Sequence, residues 1–331
     1  MNQTLPYKTH EIFTQDAWKI FLYQYENKNK KRHPVLLVHG LASNRYNFDF
    51  PEKEKSFAQY LWKKGWDVWV IELRGAGKST KPKALQWLTK KWTFDHYVAQ
   101  DLPAAVDYIL QQSGQKKLHW VGHSMGGLLV YPFIKTQSAH IFQSITTVGS
   151  PMTSEIKPAY FKWTSKLDPL FKLIPFLPYR SMAKIVHRYA DSIHQLKEPL
   201  LFAKENMDPE TLKLGSQVAV DDVSAGVILQ IHNWMRKNHF KSFDESVDYT
   251  LDLKKLEIPI FIITGNQDPF TPASLIKGAF EEIAASKKKW IVFGKKEGYR
   301  SNYGHLDLII GKNAPKEVFP AILDWIETHD S

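Results

Sequence analysis

Five consecutive residues, Gly122-His123-Ser124-Met125-Gly126, form the pattern G-x-S-x-G, and their surroundings decide what it means. The strand-like run Leu118-His119-Trp120-Val121 precedes them, and the apolar, helix-like run Gly127-Leu128-Leu129-Val130-Tyr131 follows. A serine on a tight strand-to-helix turn is pushed into the open, flanked by glycines because no Cβ fits where the elements cross. Its hydroxyl needs a base, and the base needs an orienting acid. Of the 13 histidines, position selects His305, in Tyr303-Gly304-His305-Leu306-Asp307, between the last strand-like run and the last helix-like one. Asp268 directly follows the apolar run that starts at Ile260, with Pro269 and Pro272 fixing the loop. An ordinary turn serine is the plain alternative for Ser124, and an Asx-turn residue is the plain alternative for Asp268. Asp307 is the competing acid, but two residues from His305 it should point away.

Two backbone donors complete the chemistry that these side chains suggest. The N–H of Met125 opens the helix after Ser124, where an oxyanion is favoured. A second donor should come from a loop after an early strand, and His39-Gly40-Leu41-Ala42-Ser43 offers the N–H of Leu41, with Gly40 permitting close approach. His39 itself is expected only to pack and hydrogen-bond that loop.

These residues must be positioned by strands that end along one edge. Pro34 to Val38, Asp67 to Leu73, Lys117 to Val121 and Ile141 to Val148 read as buried strands. Pro51 to Lys64 and Phe94 to Gln111 read as helices between them, the second kinked at Pro103. Ile258 to Thr264, Pro272 to Ala285, Trp290 to Phe293 and Ala314 to Thr328 resume the alternation, and Glu11 to Gln15 with Trp18 to Tyr25 suggests an edge hairpin. Such alternation predicts a mostly parallel sheet with helices on both faces. Residues 152–256 break it with helix-length segments interrupted by six prolines. The chain therefore divides into a first core part at 1–151, a helical insertion at 152–256 and a second core part at 257–331. In the aromatic run from Phe161 to Tyr179, Trp163, Phe171 and Phe176 are candidates to line an apolar substrate pocket, with packing of the insertion as the alternative.

The 331 residues carry a formal net charge of +10, of which the insertion holds only +2 and the remainder +8. There is no cysteine, which excludes disulfides, thiol nucleophiles and Cys-bound zinc. No apolar run is long enough for a membrane span. Met1 to Phe13 lacks the basic-then-apolar order of a secretory signal, so a cytoplasmic location is expected. The basic clusters Lys28 to Arg32, Lys81 to Lys83, Lys90-Lys91 and Lys287 to Lys289 read as solvated rims, with contact to an anionic membrane as the sharper alternative. Nucleic acid is not expected, because no helix has a basic stripe and no aromatic–basic platform is present. Gly75-Ala76-Gly77-Lys78-Ser79-Thr80 ends like a phosphate loop, but Glu72 stands where the first glycine must be.

At this point the chain resembles the α/β-hydrolase family, through His39-Gly40-Leu41, Arg74-Gly75-Ala76-Gly77-Lys78-Ser79, Gly122-His123-Ser124-Met125-Gly126, Gly265-Asn266-Gln267-Asp268 and Gly304-His305. Its esterase, lipase and lysophospholipase branch is the most similar. The resemblance implies an eight-stranded, mostly parallel sheet and a cap over the site. It also implies nucleophilic catalysis by Ser124, Asp268 and His305 without metal or cofactor, on small-molecule or lipid esters. One departure is the long spacing from Asp268 to His305, filled by the polar stretch Lys295 to Asn302. Acyl transfer through the same residues is the rival expectation, and a non-catalytic ligand-binding relative is the more distant one.

Overall fold

The structure is a computed structural model, and residues 7–27, 32–80, 91–137, 139–152, 164–195 and 201–330 are described. Ten strands occur among them: β1 (Lys8–Phe13), β2 (Lys19–Tyr25), β3 (Val35–Val38), β4 (Val68–Glu72), β5 (Leu118–His123), β6 (Phe142–Val148), β7 (Phe176–Leu177), β8 (Val223–Ser224), β9 (Ile260–Gly265) and β10 (Lys288–Phe293). Eight of them form one sheet in the order β1-β2-β4-β3-β5-β6-β9-β10. From β4 through β10 every neighbouring pair is parallel, whereas β2 runs antiparallel to both β1 and β4. The expected parallel sheet with an edge hairpin is therefore present.

The central strands are apolar at consecutive positions because both faces are covered. Leu36 and Val38 join one hydrophobic cluster while Val35 and Leu37 join the other. The helix Leu102–Ser113 lays Leu102, Ala105, Val106 and Ile109 on the first cluster. The helix Ala314–Thr328 lays Val318, Phe319, Ile322 and Ile326 on the second. With all parallel strands pointing one way, the residues after β3, β5, β9 and β10 gather at a single sheet edge.

Helices differ from the sequence reading in detail, and for two of them the structure shows the cause. The helix expected from Pro51 begins at Phe57, because Ser56 caps it by accepting the Gln59 N–H at 3.2 Å. The helix expected over Phe94 to Gln111 contains a π-helical turn, Tyr97–Asp101, just before Pro103. That turn carries Asp101, whose buried carboxylate accepts from the backbone N–H of Arg74 at 2.8 Å and its Nε at 2.7 Å.

Between β6 and β9 the chain builds the helices Asp168–Leu173, Tyr179–Arg188, Ala190–His194, Pro209–Val218 and Ala225–Lys237. It also forms a two-stranded antiparallel ribbon, β7 with β8, too short to leave a sequence pattern. Among the described residues this segment has no separate core. Phe171, Phe176, Val227 and Trp234 join the first cluster, and Ala190, Phe202, Met207 and Leu212 join the second. Among the described residues no helix is long and apolar enough to cross a membrane.

At the amino-terminal edge of the sheet, Asp330 ties the chain's end to β3 and β5. Its Oδ1 accepts from the His33 N–H at 3.0 Å, His33 Nδ1 at 2.9 Å and His119 Nε2 at 3.2 Å. Burial works to raise the Asp330 carboxyl, but these donors outweigh it and hold the group well below the usual carboxylate range. A depressed folded pKa contributes stability that is present above the unfolded value, about 3.9, and is lost as pH falls through the folded one. Asp330→Asn is accordingly expected to lower the Tm at pH 7, with the gap to wild type closing as the pH drops below about 4. Thermal unfolding of both chains across that range checks this.

Candidate active site

The turn after β5 is built by close approach. A Cβ on Gly126 would stand 2.0 Å from the Val38 carbonyl oxygen, and one on Gly122 would stand 2.3 Å from that of Gly126. Neither position tolerates a side chain, which is the steric account of the two glycines in the motif. Between them Ser124 adopts φ 55° and ψ −121°. Its N–H donates to the Val148 carbonyl at 2.9 Å, extending the contact between β5 and β6 into the turn.

The three side chains singled out from sequence meet at this turn. The Ser124 hydroxyl donates to His305 Nε2 at 2.9 Å, and His305 Nδ1–H donates to Asp268 Oδ2 at 2.9 Å. The carboxylate thus sets the tautomer that leaves Nε2 free to accept. Asp268 and His305 are buried while Ser124 is half-buried, so the relay opens to solvent at the serine. Burial pushes the Asp268 carboxyl up, but the His305 ring and the donors around it win, holding it below its ordinary value. The Asx-turn alternative is also realised. Asp268 Oδ1 accepts the Phe270 N–H at 2.8 Å, leaving Oδ2 for the histidine.

Asp307 does not compete for the ring. Its Oδ1 accepts from the N–H groups of Gly304 and Ala203, and its Oδ2 from the Asn206 amide. Burial pushes this carboxyl up to about 7 against the pull of those donors.

The loop after β3 reaches Ser124 from the other side. Gly40 lies so close that a Cβ would stand 3.1 Å from that of Ser124. Among the described residues neither the Leu41 nor the Met125 N–H has an acceptor in the protein. His39 is a strut, as expected: Nδ1–H donates to the Gly40 carbonyl at 2.8 Å and Nε2 accepts the Leu73 N–H at 3.2 Å. Burial pushes its ring down to about 4, so it is neutral at physiological pH.

Two residues of the site escaped the sequence reading. Asn47 Oδ1 accepts the Gly40 N–H at 3.0 Å and faces His123 Nδ1 at 3.1 Å. The other nitrogen of His123 faces the His305 carbonyl at 3.1 Å, and the two imidazoles lie 4.8 Å apart. Burial, with the His305 ring second, pushes His123 down to about 3, so it is neutral and its single N–H donates to one of these two acceptors. Being the second residue of G-x-S-x-G, His123 was within reach of inference. Nothing marked Asn47, seven residues beyond Gly40.

Of the candidate pocket residues, Trp163 lies outside the described residues. Phe176 packs on Trp92 at 4.9 Å and Phe171 on His232 at 6.2 Å, both buried, so packing occupies much of their surface. The phosphate-loop decoy is closed by its own acceptors. Glu72 takes the Lys78 N–H and Asp221 takes the Gly77 N–H. The basic clusters are partly structural. Lys288 Nζ caps the helix Ala273–Glu282 through the Phe280, Glu281 and Ile283 carbonyls, and Lys91 donates to the Lys172 carbonyl. Lys28, Lys30, Lys31, Lys81, Lys83 and Lys90 lie outside the described residues. Among the described residues the one group spaced to share a metal ion is His33, His119 and Asp330, at the far edge of the sheet from Ser124.

Known proteins resemble this chain over nearly its whole length. Lipase member K of Mus musculus is 25% identical over 97% of this chain and 88% of its own length. Gastric triacylglycerol lipase of Bos taurus is 24% identical over 96% and 87%. A solved thermophilic esterase from Thermogutta terrifontis shares the fold with a TM-score of 0.64 at 19% identity, covering 98% of this chain and all of the other. Residues 33–309 match the family described as alpha/beta hydrolase fold, and the chain belongs to that family.

Proposed function

We propose that this chain is a carboxylic-ester hydrolase acting through an acyl-enzyme on Ser124. The observation that carries the proposal is the relay from Ser124 to His305 to Asp268, 2.9 Å at each step, beside two unengaged backbone donors. The lipases and esterases among its relatives support the same reaction class. His305 Nε2 takes the Ser124 proton as Oγ bonds to the ester carbonyl carbon. The Leu41 and Met125 N–H groups hold the oxyanion, each worth about 2.7–4 kcal/mol. Asp268 stabilises the imidazolium, which then protonates the departing alcohol as the C–O bond breaks. Water gives a proton to the same Nε2 and attacks the acyl carbon, and the acid leaves as Ser124 recovers its proton.

Residues 152–256 are proposed as a cap between core parts 1–151 and 257–331, with Trp163, Phe171 and Phe176 toward its apolar lining. A lipophilic ester fits this assignment. The outer surface of the insertion supports peripheral contact with an anionic lipid layer. Leu167, Leu170, Leu173, Met182, Ile185 and Tyr189 are exposed there, Leu173 by 77%. Exposed Lys166, Lys172, Lys184 and Arg188 stand among them.

Ser124→Ala is expected to reduce hydrolysis of p-nitrophenyl butyrate to background with an unchanged circular dichroism spectrum, and an undiminished rate would sink the assignment. Asp268→Asn should retain binding but lower kcat by about 10⁴-fold through loss of the imidazole tautomer. For the lipid contact, sedimentation with phosphatidylglycerol vesicles should pull down wild type but not a Leu170→Glu, Leu173→Glu, Ile185→Glu triple variant. Equal recovery of the two proteins refutes it.

A further inference from the structure

The long stretch between Asp268 and His305, the departure noted in the sequence, is not a free loop. It is held by residues 201–206 of the insertion. The Leu201 carbonyl accepts both the His305 and the Leu306 N–H, at 3.0 and 2.9 Å. Glu205 takes the Asn302 N–H at 2.8 Å and Lys295 Nζ at 2.6 Å. The Asn206 carbonyl accepts the Lys312 N–H at 2.8 Å, and its Oδ1 accepts the Asn313 N–H at 3.1 Å. Gly304 lies so tightly against this segment that a Cβ would stand 2.6 Å from the Cα of Phe202.

At the centre of these contacts two fully buried side chains meet, Asn206 Nδ2 donating to Asp307 Oδ2 at 3.0 Å. Asp307 Oδ1 takes the N–H of Gly304, next to the histidine, at 3.0 Å and that of Ala203, in the insertion, at 3.2 Å. One carboxylate therefore joins the insertion to both sides of His305. Each oxygen meets only N–H donors. Replacing either partner leaves a buried donor or acceptor without its complement.

We propose that Asp307 and Asn206 are a pair of positioning residues that fixes the His305 loop on residues 201–206 and so aims the imidazole at Ser124. The proposal rests on the reading of His305 as the base. Neither side chain touches the reacting atoms; both act through the backbone on each side of His305. A misplacement of the base by about 1 Å is enough to cost on the order of 100-fold in rate.

The chemistry of the pair dictates its test. In the reciprocal exchange, Asp307→Asn with Asn206→Asp, one amide and one carboxylate remain. The introduced amide oxygen still accepts from Gly304 and Ala203 while its NH₂ donates across, and the introduced carboxylate still accepts from Asn313. Either single substitution instead sets two like groups against each other. We expect Asp307→Asn and Asn206→Asp each to lower kcat by about 100-fold with KM little changed, and the exchange to restore most of kcat. The downfield proton resonance of His305 Nδ1–H should broaden or vanish in the single variants and return in the exchange. Single variants with wild-type kcat, or an exchange that folds but recovers nothing, would overturn the pairing. Where a single variant does not fold, Asn206→Ala decides the matter, because wild-type kcat in that chain removes the role of the amide. Labelling of Ser124 by a fluorophosphonate separates this from the functional reading. A wild-type chain that neither labels nor hydrolyses loses the base and the clamp together, whereas equal labelling rates in wild type and variants remove only the clamp.

Discussion

Ser124 holds φ 55° and ψ −121°, a backbone state that costs an L-residue on the order of 1–3 kcal/mol and persists only where its surroundings over-determine it. Those surroundings are buried strands of the central sheet. Val35 to Val38 and Leu118 to Val121 are buried, and β5 is paired on both sides, by β3 and β6. The Ser124 N–H is committed to Val148, and Gly126 abuts Val38. A side chain at Gly126 or a slip of β5 against β3 would let the turn relax and withdraw the hydroxyl from His305. The strain is therefore maintained by core packing several residues away, and the site inherits its precision from the sheet.

Charge around His305 is managed by burial. Among the described residues His39, His123 and His305 lie at the carboxyl edge of the sheet, and of these three only His305 has a carboxylate hydrogen-bonded to its ring. His39 and His123 are pushed down to about 4 and about 3 and serve as neutral struts. Their neutrality has a consequence for the reaction. A proton on His123 would oppose the imidazolium that the proposed reaction forms on His305, with ring centres 4.8 Å apart. Two unit charges at that distance repel by about 3 kcal/mol at an effective dielectric constant of about 20. Burying His123 removes that penalty and leaves it a single N–H to donate, to Asn47 Oδ1 or to the His305 carbonyl.

Much of this was legible because it obeys local rules. Two-sided burial made β3, β4, β5, β6 and β9 readable as short apolar runs, and a strand-to-helix turn with its glycines located Ser124. Chain order and strand ends then selected Asp268 and His305 without a contact being known. What stayed hidden depends on long-range pairing. Asn47 and Asn206 are ordinary polar residues in sequence, and only the approach of distant segments gives them partners. The π-helical turn at Tyr97–Asp101 was hidden for the same reason, since Asp101 is drawn inward by Arg74 from another loop. The start of the helix at Phe57 turned on a single serine cap that competed with an equally plausible proline.

The insertion shows most clearly how composition and mechanics can differ. By composition residues 152–256 form one unit, proline-broken and nearly neutral. By contact they divide. The helices Asp168–Leu173 and Tyr179–Arg188 expose leucine, isoleucine and methionine side chains, whereas Phe202, Ala203 and Asn206 are buried against the His305 loop. Residues 201–206 therefore behave as part of the core, although the chain reaches them through the insertion. A change in the outer helices can spare His305 while this inner segment holds. A change that displaces residues 201–206 disturbs the backbone hydrogen bonds to His305 and Leu306, and with them the placement of the imidazole.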